Sequence, residues 1–361
     1  MAQPADCRLI FHRTVVTPRY PISIRIQEFY RPRLPHGPDL AGWLTTVINV
    51  AGAEAAPLGR LRFPNAELVF ALVYPVGTDG REIIATLQDR IRKFNYDPMT
   101  LRLSDYLPGL KEKLGLRTRL SESSEYNRIR TRMDCGNAAR AKIRRGDFLA
   151  LVAASQILRS REVTKDGRRP HERKAHILHS LKRPEEVKAL RKIYGAGFFL
   201  IGVSASLDER LRYLKQDKSM SEEEAKDLID RDLIEEAIKY GQRTRDTFYL
   251  ADVFIRVERG EYKDQLQRFL NLVFGHPYET PTPDEYAMYL SHSASLRSAQ
   301  LGRQVGSAIT SATGDVVAVG CNEVTKAKGG LYWPGPGDHR DHTKHIDSND
   351  QKKTEIVQDC R

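Results

Sequence analysis

The sequence predicts an α/β protein in two parts: a parallel sheet covered by helices on both faces, then the opening of a second, smaller α/β domain. Three observations predict it. Apolar runs of strand length alternate with stretches of helical period across residues 65–275. The stretch "LVFALVYPVGTDGREII" at 68–84 joins a buried-strand run to a helix through a turn holding two glycines. Finally, "GHPYETPTP" at 275–283 has three prolines and no apolar run, which marks a linker before a new helix and hairpin.

Taken in order, residues 1–62 come first and resist any pattern. Prolines at 4, 18, 21, 32, 35, 38 and 57 interrupt them, and "RYPISIRIQEFY" offers at best one short strand. The segment is expected to be irregular and peripheral. From Asn65 the pattern sharpens. "AELVFALVYPV" reads as a buried strand, and Ile83, Ile84, Leu87, Ile91 and Phe94 recur at helical spacing. "YDPMTLRLSDYL" gives a second strand with its exit turn, followed by two arginine-bearing helices over "YNRIRTRMDCGNAARAKIRR" and "DFLALVAASQIL". "KAHILHSL" and "GFFLIGVSA" are strands flanking the helix "RPEEVKALRKIYG". Ser206 is placed to cap "LDERLRYLKQ". A charged helix over 221–240, a strand in "YLADVFIRV" and the helix "YKDQLQRFLNLVF" close the domain at 275.

Beyond the linker, residues 284–361 form the second part. Apolar positions from Met288 to Leu301 give a helix, and "QVGSAITSA" and "VVAVGCNEV" give a hairpin turning at Thr313-Gly314-Asp315. Two strands make only part of a sheet, so an open edge is expected. A Gly/Pro/His-rich loop leads into a last helical stretch, "SNDQKKTEIVQDCR", with Ser348 or Asn349 as its cap.

Composition narrows the classes of function. With 40% hydrophobic and 29% charged residues the chain reads as globular, and its longest apolar runs fall far short of a membrane span of about 20 residues. No signal-peptide core is present, and Cys7, Cys135, Cys321 and Cys360 form no C-x-x-C pair, so a cytoplasmic protein with free thiols is expected. The formal net charge is +11. Residues 117–192 hold 21 Lys and Arg against 9 Asp and Glu, so the excess lies in one segment. Such a segment suits nucleotide phosphates or an RNA backbone, and RNA is a candidate partner there.

The turn at 74–81 reads Tyr-Pro-Val-Gly-Thr-Asp-Gly-Arg. A working phosphate loop needs glycines that let backbone N–H groups approach phosphate, a lysine for the β/γ-phosphates, and a hydroxyl for Mg²⁺. In one register Gly80 and Arg81 stand where Lys and Ser/Thr belong. In the other, Arg81 replaces the lysine and Glu82 the hydroxyl. Gly77, Thr78, Asp79 and Gly80 are therefore candidates for nucleotide binding without the groups that support phosphoryl transfer.

The order "HSLKRPEEVKALRKIYGAGFFLIGVSASLDERLRYL", "DRDLIEEA", "GQRTRDTFYLADVFIRV" resembles small-molecule P-loop kinases of the dephospho-coenzyme-A and nucleotide kinase branch, over about 200 residues. The resemblance implies that Arg183, Arg210 and Arg231 close over a nucleotide. A second resemblance lies downstream. In "YAMYLSHSASLRSAQLGRQVGSAITSATGDVVAVGCNEV", Arg297, Ser298, Arg303, Gln304, Val305, Gly306, Ile309 and Asn322 match the helix and first hairpin of the cytidine/deoxycytidylate deaminase fold. With "EVTKAKGGLYW" and the upstream domain, the chain resembles the bacterial anti-phage dCMP/dCTP deaminases.

That resemblance implies deoxycytidine nucleotides as ligands, with Asn322, Arg297 and Arg303 binding substrate, and zinc as the family's cofactor. It also implies a pocket or homo-oligomer contact at Tyr332 and Trp333. Zinc chemistry requires H-x-E and P-C-x-x-C, and neither motif is written in this chain. His339, His342 and His345 are close in sequence but lack partnering cysteines. The sequence is expected to stop before the catalytic half of that domain. Two readings therefore stand: a deaminase-type protein without its zinc motifs, and a nucleotide- or RNA-binding module without catalysis.

Overall fold

The computed structural model describes residues 65–165, 167–233, 235, 238–257 and 262–359, together with the backbone of strand β1 (Cys7–Arg13). The rest of residues 1–64, including "RYPISIRIQEFY", and Cys360 lie outside the described residues. Two compact units divide the chain: Gly37–Glu279, and Met1–His36 with Thr280–Arg361.

The larger unit is an α/β domain around a parallel five-stranded sheet. In chain order its strands are β2 (Leu68–Val73), β3 (Asp97–Arg102), β6 (Lys174–His179), β7 (Phe198–Ser204) and β8 (Val253–Arg256). Between β3 and β6 a short hairpin, β4 (Glu162–Thr164) and β5 (Gly167–Arg169), stands apart from the sheet. The sheet order is β3-β6-β2-β7-β8, every pairing parallel.

Strand β2 is apolar along its whole length because it is covered on both faces, and all six residues are fully buried. Leu68, Phe70 and Leu72 pack with Ile83, Leu87 and Ile91 of helix Gly80–Lys93 and with Leu266 and Phe269 of helix Tyr262–Val273. Val69, Ala71 and Val73 turn the other way, toward Ala153 and Ile157 of helix Phe148–Ser160 and Val187 and Leu190 of helix Pro184–Tyr194. Period-two alternation in the strand thus feeds two separate helix layers.

The smaller unit carries a three-stranded antiparallel sheet in the order β1-β9-β10, with β9 at Val305–Ser311 and β10 at Val316–Cys321. Several expectations change here. The N-terminal segment is not wholly peripheral, because Cys7–Arg13 pairs along the full length of β9. The hairpin edge at β9 is therefore taken. Helix Pro283–Ser295 opens with a capping box between Thr282 and Glu285 and ends at Ser295, short of the predicted Leu301. It lies so close to β9 that a Cβ on Gly306 would stand 1.8 Å from the Ser291 carbonyl oxygen. Only glycine fits. The last helix, Ser348–Asp359, is capped not by Ser348 or Asn349 but by Asp347, which accepts from the Asn349 and Asp350 amides at 3.0 Å each. Ser348 Oγ turns instead to Asp341.

Among the described residues no helix is long and apolar enough to cross a membrane.

Candidate functional site

The turn after β2 holds the centre of the larger unit's site. Asp79 caps helix Gly80–Lys93, accepting from the Arg81 amide at 3.0 Å and from Arg81 Nε at 3.3 Å. The Thr78 amide donates to Pro75 O at 3.2 Å, and the Val76 amide donates to Asp232 Oδ2 at 2.8 Å. Pro75 has no N–H to offer. Gly77 sits at φ +92°, with Arg210 so near that any Cβ would meet Arg210 Cβ and O below 3 Å. A phosphate loop presents its amides to an anion. Here three of those amides already serve the protein's own oxygens, and the Tyr74 ring covers Gly80 at the helix start.

A lysine is present, but not in the loop. Because β2 and β6 run parallel, Leu72 lies beside His179 and the two strands end together. Lys182, three residues past β6, donates Nζ to Tyr74 O at 2.9 Å and to Asp232 Oδ1 at 2.8 Å. Its ammonium also stands 5.7 Å from the Tyr74 ring centroid. Asp232 is fully buried and further accepts from Thr244 Oγ1 at 3.1 Å. The lysine is thus held beside the loop and neutralised there.

Around this loop opens a cavity of about 550 Å³. It lies at the carboxyl ends of β2, β3 and β6, where ligands of open α/β sheets bind. The predicted Gly77, Thr78, Asp79 and Gly80 all line it. One wall is apolar, from Leu103, Leu107, Ile129 and Met133. The other residues that matter come from β3 and from helix Glu125–Ile143. Arg102 lines the mouth, exposed and without an ion-pair partner among the described residues. Arg128 grips Glu125 with two bonds at 2.7 and 2.9 Å, and Lys218 approaches the same carboxylate at 3.4 Å. Bonding to Arg128 is the largest cause that draws the Glu125 pKa down to about 2. Arg132 reaches Glu122 at 3.0 Å and Asp105 at 3.4 Å, while its buried Nε has no partner. Arg140, 2% exposed, is paired with the fully buried Glu186 at 2.7 Å.

Seven lining cations face six carboxylates within ion-pair reach, which leaves one surplus positive charge. Three further polar atoms in the wall have no hydrogen-bond partner: Thr78 Oγ1, Ser180 Oγ and Gln242 Oε1. Buried polar groups ordinarily have partners, so these atoms are suited to a ligand or water. His179, its ring tilted against that of Tyr74 at 5.4 Å between centroids, has its pKa lowered to about 4 by burial and then by Lys182.

Sequence reasoning missed Lys182 and the arginines of the cavity as a set. Lys182 is 108 residues from Tyr74, and only strand order brings it back. The basic excess over 117–192 marked Arg128, Arg132, Arg140 and Lys182, but nothing in the sequence marked Arg102.

The predicted arginines go elsewhere. None of Arg183, Arg210 and Arg231 lines the cavity. Arg183 is buried, donating to Gly241 O at 2.5 Å and pairing with Glu185 at 3.1 Å. Arg210 is buried against the loop, donating Nε to Val76 O at 2.7 Å, and burial pulls its pKa down. Arg231 bridges Asp134 and Glu235. Much of the basic segment is likewise tied internally, Arg161 to Glu67, Arg145 to Asp147 and Arg191 to Asp252 among others. Those guanidiniums are held by carboxylates of the same unit.

In the smaller unit, the Asn322 amide is fully engaged. Its Oδ1 accepts from the Val305 amide at 2.7 Å and from Ser298 Oγ at 3.0 Å, and Nδ2 donates to Arg303 O at 2.7 Å. It staples the end of β10 to the start of β9. Arg297 lays its guanidinium 3.7 Å over the Trp333 ring, while Arg303 is exposed. Burial pushes the Cys321 thiol up, away from the thiolate that metals bind. Among the described residues no group of three or more His, Cys, Asp or Glu is placed to hold a metal ion. His342 and His345 stand 6.4 Å apart, ring to ring, and His339 turns to Tyr332. These residues do not fit a zinc site.

No protein-family model matches the chain, and no curated protein matches it. Solved structures similar to it include a gluconokinase from Sinorhizobium meliloti 1021, 14% identical over 60% of this chain and 98% of its own, TM-score 0.30. Another is the APS kinase of Mycobacterium tuberculosis in complex with AMPPNP and APS, 12% identical over 58% and 98%, TM-score 0.33. A third is TT1252 from Thermus thermophilus, 15% identical over 59% and 98%, TM-score 0.34.

Proposed function

We propose that the larger unit is a nucleotide-binding module that does not transfer phosphate. The observation that carries this reading is the place and lining of the cavity. It sits at the carboxyl ends of β2, β3 and β6, where the sheet order reverses about β2, and pairs an apolar wall with a row of cations. Non-transfer follows from the loop. Arg81 is largely exposed and bound to Asp79, so it does not reach over the loop as a lysine would. Lys182 is held by Asp232. Neither group is positioned to follow charge onto a phosphoryl group in flight.

Calorimetric titration of the full chain with nucleotides, beside an assay for nucleotide hydrolysis and phosphoryl transfer, tests the reading. Micromolar binding without turnover is expected. A turnover abolished by Arg81→Ala or Lys182→Ala would refute non-transfer, and absence of any nucleotide binding would refute the module.

A second reading concerns the smaller unit. The R-Q-V-G match at 303–306 places its glycine where the helix and β9 touch, which is the junction the deaminase resemblance concerns. On that basis we propose a deoxycytidylate deaminase-type unit that is inactive in this chain, with dCMP or dCTP as the nucleotide class and anti-phage defence as its setting. Ammonia release from either nucleotide with added zinc is the test. None is expected, and zinc-dependent release would overturn the inactive assignment.

A further inference from the structure

We infer that the cavity of the larger unit takes a nucleoside monophosphate in preference to a triphosphate, and takes it without Mg²⁺. This rests on the nucleotide-binding reading and specifies its ligand. The loop side is closed to a phosphate chain. The amides of Val76, Thr78 and Arg81 are engaged, Asp79 lines the cavity beside the loop, and the buried Asp232 already holds Lys182. No loop hydroxyl stands after Gly80 to hold Mg²⁺, the position being Arg81.

The opposite side is open to one anion. Arg102 has no ion-pair partner among the described residues, and Arg132, whose terminal nitrogens reach Glu122 and Asp105, keeps a buried Nε with none. With a single surplus positive charge, the site matches a phosphomonoester of about −1.5 to −2 far better than a longer phosphate chain. Binding it discharges the excess, whereas each further phosphate adds negative charge with no cation left to meet it.

The remaining lining fits the rest of a mononucleotide. Along helix Glu125–Ile143, Arg132 and Asn137 are about 7.5 Å apart by helical rise. Asn137 Oδ1 holds the amide of Gln242 at 3.3 Å, which leaves Gln242 Oε1 as an unpartnered, buried acceptor. Between the two ends lie Ile129 and Met133, with Leu103 and Leu107 facing the same space. The phosphate is thus assigned to Arg102 and Arg132, the base to the apolar wall, and a donor of the base or sugar to Gln242.

Titration calorimetry of the full chain with the mono-, di- and triphosphates of adenosine and deoxycytidine, each in Mg²⁺ and in EDTA, tests this. For at least one base the monophosphate should bind at least tenfold tighter than the triphosphate, equally in both buffers. Arg102→Gln, at an exposed position that leaves the fold intact, should weaken the monophosphate about tenfold and leave the parent nucleoside unchanged. Gly136→Leu should obstruct the cavity floor and weaken both. If nucleotides bind but the triphosphate is tightest, or binding needs Mg²⁺, the monophosphate assignment fails while the module stands. If nothing binds, both fail together.

Discussion

Asp232 shows how much one residue decides. Its buried carboxylate joins the loop amide of Val76, the ammonium of Lys182 and the hydroxyl of Thr244. Asp232→Ala leaves a largely buried ammonium and an amide unpaired, and should cost about 3 to 5 kcal/mol in urea unfolding of the larger unit. Asp232→Asn, keeping the shape, should cost less. His179 makes a pH-dependent contribution. Its native pKa of about 4 lies below the ordinary histidine value, so the unfolded chain takes up a proton before the native one does. Stability should be level above about pH 6.5 and fall by about 3 kcal/mol as pH drops to 4. His179→Phe should remove that slope, as unfolding curves at pH 7, 5.5 and 4 would register. A slope that survives the substitution would assign it to the carboxylates instead. Of this site, the sequence displayed the loop and the loss of its lysine. It could not display Lys182 or Asp232, because the parallel pairing of β2 with β6 brings the one to the loop and the distant helix Glu222–Leu233 brings the other.

At the level of elements, helices and strands with strong periodicity were legible because each buries one or two faces against a neighbour. Helix Gly80–Lys93 and strand β2 fall where Ile83, Leu87 and the apolar run put them. Hairpin β4–β5 was not legible, since its residues are exposed and carry no period. Strand β1 was hidden for a different reason: its identity depends on a partner about 300 residues away. Two substitutions probe the elements. Asp79→Ala removes the cap of the loop helix and should cost about 1 kcal/mol, read from urea unfolding. In the smaller unit, Gly306→Ala drives a methyl group into the Ser291 carbonyl and should cost about 3 kcal/mol, since neither backbone can yield. Gly302→Ala meets nothing within 4 Å and serves as the control. Equal effects from the two alanines, followed by hydrogen exchange in β9, would show that the close approach does not matter.

For the whole molecule, the division at Glu279/Thr280 carries a prediction of its own. Phe274 stacks on Phe94 at 4.4 Å and belongs to the larger unit, whereas Tyr278 is 84% exposed. Limited proteolysis should cut between residues 275 and 282 and release a fragment ending near Phe274 that still unfolds cooperatively. A fragment that unravels at once would mean the larger unit depends on the residues beyond it.

The buried centre strand has a further consequence, in time. Leu68 pairs with Ala175 and Val69 with Phe198, so β2 leaves the ribosome 107 residues (175 − 68) before its first partner. At about 5 to 20 residues per second, that is a wait of roughly 5 to 20 s with six consecutive apolar residues unsheltered. Nascent chains halted between residues 110 and 170 should therefore engage chaperones or aggregate, and chains halted well past 204 should not.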